Sequence, residues 1–112
     1  MGDDKLKQKI EDVVRDLSKG YPTGGYGVKA IAAAGTPERI TDQDEPIARI
    51  IIIALRTNTG YIYIGYDKFV SAANYGIELG LLDHIAIPID NLNKIWIDSS
   101  VNAEGISYLV VI

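Results

Sequence analysis

Apolar side chains recur at Leu6, Ile10, Val13, Val14 and Leu17, the i, i+4, i+7, i+8, i+11 spacing of a single helical stripe. The spacing predicts an amphipathic helix over residues 1–20. Asp3 or Asp4 is placed to accept from the free N–H groups of its first turn, and Gly20 followed by Pro22 to end it. The glycines and proline of YPTGGYG, residues 21–27, disfavour any regular element and predict a hinge. Beyond the hinge the period falls to two. Strands are expected over 28–34 (a weak pattern), 50–55, 61–66, 85–89, 95–98 and 106–112.

The connections at 57–60, 90–93 and 102–105 carry the Asn, Asp and Gly that tight turns require. Short strands, turn signals about every ten residues and no intervening helical pattern point to a β-sandwich, a jelly roll or a small barrel rather than βαβ units. The expected fold is therefore all-β. A β-sandwich or jelly-roll-like domain over 28–112 follows one N-terminal helix. Residues 72–80, with two glycines and no sustained apolar stripe, are expected to form a loop. Pro88 cannot donate a ladder hydrogen bond, which predicts an edge position for its strand.

Alternation also assigns faces. Ile62 and Ile64 point to the core while Tyr61 and Tyr63 share the outer face, and Ile95 and Ile97 point inward with Lys94, Trp96 and Asp98 outward. Outer aromatic residues stabilise a sheet as cross-strand pairs or serve as a contact surface. Tyr61, Tyr63 and Trp96 are accordingly interface candidates. So are Leu6, Ile10, Val13, Val14 and Leu17, because an amphipathic helix must bury its stripe on its own sheet, on sister helices or on a larger assembly.

Composition narrows the function. At 112 residues the chain holds one domain with a genuine core. A net charge of −4 argues against a nucleic-acid surface, which draws on clustered Lys and Arg. With no cysteine, disulfides, zinc–thiolate sites and a thiol nucleophile are excluded. The acidic start MGDD does not resemble a signal peptide. The longest apolar run, 50–55, falls far short of the roughly 20 residues that cross a bilayer. A soluble product made in the cytoplasm, with no membrane partner, is expected.

Reactive groups are few. His84 is the single histidine, too little for a cupin-type metal site, and its expected role is that of a strand-entry residue. No serine lies in a nucleophile elbow. Asp42, Asp44 and Glu45 in TDQDEP lack the glycine and distal glutamate of a calcium loop and read as a solvated turn. TGGYG follows a helix rather than a strand and has no Lys-Ser or Lys-Thr pair, so it is not a phosphate loop. No catalytic, cofactor-binding or metal-ligating residue is assigned.

The segments IPIDNLNKIWIDSSVNAEGISYLVVI (87–112), LRTNTGYIYIG (55–65) and AGTPERIT (34–41) resemble a family of small structural proteins of tailed phages and prophages. Trp96 stands where the family usually has tyrosine, and the N-terminal helix lies outside the resemblance, which covers 34–112. The resemblance implies a head, tail or decoration component with a β-sandwich or jelly-roll fold and no catalytic residues. The expected function is that of a virion structural protein, made in the host cytoplasm. It would decorate a capsid or form part of a connector or tail, with its helix docking or oligomerising. Expected partners are further copies of the chain and capsid, portal or tail proteins. Two other readings stand beside it. One is a carbohydrate or host-surface binding module that stacks a glycan on Tyr61, Tyr63 and Trp96. The other is a small cupin-like enzyme.

Overall fold

A computed structural model describes residues 25–112. The expected helix over 1–20, its stripe from Leu6 to Leu17 and most of the expected hinge lie outside these residues. Eight strands follow in order: β1 (Tyr26–Ala30), β2 (Glu38–Arg39), β3 (Arg49–Ala54), β4 (Ile62–Gly65), β5 (Ile77–Leu79), β6 (His84–Pro88), β7 (Trp96–Ser99) and β8 (Gly105–Val111). They form two four-stranded antiparallel sheets, β1-β8-β3-β6 and β2-β7-β4-β5. The arrangement is all-β and sandwich-like.

The pairing is nested. β4 pairs with β5, β3 with β6, β2 with β7 and β1 with β8, as if one long hairpin had been rolled up. The contacts β3–β8 and β4–β7 close the roll. Between the sheets lies a core dominated by isoleucine. Ile50, Ile52 and Ile106 come from the first sheet and Ile62, Ile64 and Ile97 from the second. β-Branched side chains suit this position because their restricted χ1 already matches the pleat. The inward assignment of Ile62, Ile64, Ile95 and Ile97 holds, all four being buried.

Three strands differ from expectation. β5 forms inside the segment expected as a loop: Ile77 and Leu79 face the core from a three-residue strand bounded by Gly76 and Gly80. β2 is two residues long, too short to show a period. β1 begins at Tyr26, inside the expected hinge, because Gly27 is needed within the strand. A Cβ at Gly27 would stand 2.9 Å from the Tyr108 hydroxyl, on the neighbouring strand. β6 is an edge strand, as Pro88 demands.

At one end of the sandwich three crossovers meet in a polar node. Buried Glu104 accepts from the Thr59 N–H at 2.6 Å, the Thr59 hydroxyl at 2.9 Å and the Gly60 N–H at 2.8 Å. Buried Asn58 donates to the Gly105 carbonyl at 2.8 Å and accepts from the Gly105 N–H at 3.2 Å. Ile31, just after β1, donates to the Glu104 carbonyl at 2.9 Å. Each buried polar group therefore has a partner, without which it would cost about 1–3 kcal/mol. Gly105 lets β1 approach this closely, since a Cβ there would lie 2.7 Å from Ala30 Cα and inside the Lys29 carbonyl. Desolvation pulls the Glu104 pKa upward, but the Gly60 N–H and the Thr59 N–H and hydroxyl outweigh it and hold the carboxyl below its ordinary value.

Gly105→Ala should destabilise the domain by about 3 kcal/mol, read as a lower urea midpoint with unchanged slope. A depressed folded pKa means that Glu104 stabilises fully above the ordinary glutamate pKa of about 4.3, and that this contribution is lost as pH falls through the folded value. Glu104→Gln should thus lower the urea midpoint at pH 7. The gap from the parent should close as the pH is taken below about 4.3.

Candidate functional site

The outer face of the second sheet carries the aromatic residues singled out in the sequence. Register sets Trp96 beside Gly65 and Arg39, and Tyr63 between Asp98 and Glu78. Tyr61 lies one step before β4 on the same face, exchanging hydrogen bonds with Ser100. The three rings share a face but do not form an open platform. Tyr63 is only 6% exposed, because Tyr75 of the 66–76 loop folds over it with ring centroids 5.1 Å apart. Burial, and beside it the Glu78 carboxylate, raises the Tyr63 phenol above its ordinary pKa. Trp96 is half-buried with the Arg39 guanidinium 5.0 Å from its ring. Only Tyr61 is open, at 50% exposure. Asp98, expected outward, is buried on this face, where it accepts from the N–H of Gly35 at 3.0 Å. Gly35 has a φ of 86°, a left-handed conformation that glycine adopts without penalty.

The 66–76 loop is anchored by Val70, which is buried and packs on Gly65. Beside it opens a cleft of about 470 Å³ lined by Tyr66, Val70, Tyr75, Ile64, Ile77 and Ile87. Tyr66 and Phe69 stand exposed on the loop.

At the opposite end, the turn from Gly80 to Asp83 is closed by the Asp83 N–H donating to the Gly80 carbonyl and the Gly80 N–H donating to the Asp83 carboxylate, both at 2.9 Å. It presents Leu81 and Leu82 to solvent. The Tyr61 ring lies against Gly80, 3.4 Å from where a Cβ would be, so Tyr61, Leu81 and Leu82 form one apolar tip.

The outer face of the first sheet is apolar as well. Register aligns Tyr26, Leu109, Ile51 and Ala86 in one row and Val28, Ser107, Ile53 and His84 in the next. Sequence reasoning passed over this face and the Leu81–Leu82 tip. The signal for the first was the unbroken Ile50–Ile53 run, which puts isoleucine on both faces of β3, a pattern of strands covered on both sides.

Among the described residues, no three or more His, Asp or Glu side chains converge as metal ligands. Asp44 accepts from the Asn91 amide at 2.5 Å and the Glu45 N–H donates to Asn91 at 3.2 Å, so TDQDEP is a turn tied to the β6–β7 connection. His84 is exposed at the entry to β6.

No protein-family model, curated protein or solved structure matches the chain.

Trp96 is the single tryptophan and reports on its own cover. Arg39→Ala should red-shift its emission and increase acrylamide quenching, with a stability loss of about 0.5–1 kcal/mol. Unchanged emission would show that Arg39 does not shield the ring in solution.

Proposed function

We propose that the protein is a non-enzymatic structural subunit of a tailed-phage-like virion, decorating the capsid or contributing to a connector or tail, and that it assembles through the Tyr61–Leu81–Leu82 tip. The nested strand order supports the reading, because it reads as the two Greek keys of a jelly roll, an architecture used by viral capsid domains as well as lectins and cupins. Fold alone does not assign function. The observation that carries the proposal is Leu82.

Leu82 is 58% exposed and has a φ of 63°. A branched side chain in the left-handed region costs of order 1 kcal/mol, and Asn or Gly would relieve that cost. Exposing leucine at the same position offers the isolated subunit nothing in return. A strained, exposed, apolar residue beside a second leucine and an open tyrosine fits a contact made with another subunit.

A second reading rests on the cleft by the 66–76 loop. Tyr66 and Tyr75, which line an open cleft, suit stacking on a sugar ring better than the covered Tyr63 and Trp96 do. A glycan screen in which Tyr66→Ala abolishes the hits would favour this binding-module reading.

Light scattering and sedimentation on the full chain at rising concentration should reveal a symmetric oligomer. Leu82→Asn should shift it to monomer while raising the monomer's unfolding free energy by of order 1 kcal/mol, read as a higher urea midpoint. A strict monomer at high concentration, together with absence of the protein from purified particles, would sink the proposal. An oligomer untouched by Leu82→Asn would remove the tip from it.

A further inference from the structure

The outer face of the first sheet is built to be covered. Antiparallel sheets that face water on one side alternate apolar with polar residues, yet here Tyr26, Leu109, Ile51 and Ala86 form an apolar row. Val28 and Ile53 continue it in the next. Tyr26 is 84% and Val28 68% exposed, with Leu109 and Ile53 also open. Between β1, β8 and β3 these side chains frame a groove of about 450 Å³.

We infer that this groove is the docking site of the chain's own segment 3–19, through the stripe Leu6, Ile10, Val13, Val14 and Leu17. The dimensions agree. In helical form the stripe runs about 16 Å from Leu6 to Leu17, against about 14 Å across four strands. A helix about 10 Å wide covers two rows that lie about 7 Å apart along the strands. The connection also agrees, since the segment joins the sheet at Tyr26, itself a member of the exposed row. Residues 20–25 intervene and reach about 20 Å when extended. They contain Gly20, Gly24 and Gly25, which permit the chain to reverse onto the face. Tethering favours the chain's own segment over that of another copy, because a short flexible linker holds it at an effective concentration on the order of millimolar. This docking uses residues other than those of the Leu81–Leu82 tip, which stands on the β5–β6 turn just before His84, at the β6 end of the second row.

The chain has no cysteine, so an introduced pair is unique. In full-length protein carrying Ile10→Cys and Leu109→Cys, a short bis-maleimide should join the two positions. In a mixture of unlabelled and ¹⁵N-labelled protein the joined peptides should carry a single isotope. Mixed-isotope products would assign the groove to a second copy and overturn the inference. Absence of any product, with both thiols shown to be reactive, would overturn it equally. As a second readout, Ile10→Asp with Val14→Asp should raise binding of an apolar dye several-fold while leaving the Trp96 emission unchanged. Dye binding equal to the parent's would count against the docking.

Discussion

The Asn58–Glu104–Gly105 node is the constraint on which the sandwich depends. Apolar burial between the two sheets is non-directional and does not by itself select one relative placement of their ends. The node removes that freedom. It fixes the β3–β4 crossover to the β7–β8 crossover through directional, charge-assisted bonds, and it draws β1 in through the backbone on either side of Ile31. Gly105 makes the geometry attainable and Glu104 makes it specific. A second lock, Asp98 with Gly35, holds the β1–β2 loop to β7. The Lys29–Glu38 ion pair joins the two sheets at their edge. The Lys29 hydrogen bond and the Ala32 N–H keep the Glu38 carboxyl below its usual range.

Several of these locks fall in the segments 34–41, 55–65 and 87–112. Asn58 and Gly60 of the Asn-Thr-Gly turn, Glu104 and Gly105 of the last turn, Gly35 of the Ala-Gly-Thr start and Asp98 all hold crossovers in place. Such residues specify a roll of this shape and leave its use open. The proposed role in a virion therefore draws on surface features instead, above all on Leu82.

Much of the architecture was legible because period-two alternation is a local signal: β3, β4, β6, β7 and β8 lie within a residue or two of where the pattern puts them, and Pro88 marks an edge. What escaped was non-local. β2 exists because β7 offers it two partners, and β5 because Ile77 and Leu79 find the core beside β4; neither segment announces this alone. Alternation placed Tyr63 on the outer face correctly. It gave no sign that Tyr75, twelve residues later, would fold over it. The apolar outer row of the first sheet was written in the Ile50–Ile53 run, but a run of one residue type hides which face it serves.

The nested pairing orders the costs of chain closure. Pairing β4 with β5 closes only residues 66–76, whereas pairing β1 with β8 closes residues 31–104, and loop entropy penalises the longer closure. Each inner pair shortens the effective loop of the next, so the least costly route zips outward from the central hairpin and brings β1 in last. Until then β8 has an open edge and the groove lacks one wall. Under the docking proposed above, the strand that leads into the sheet from segment 3–19 is also the one that completes the fold, so the last step of folding would bring that segment to the apolar outer face.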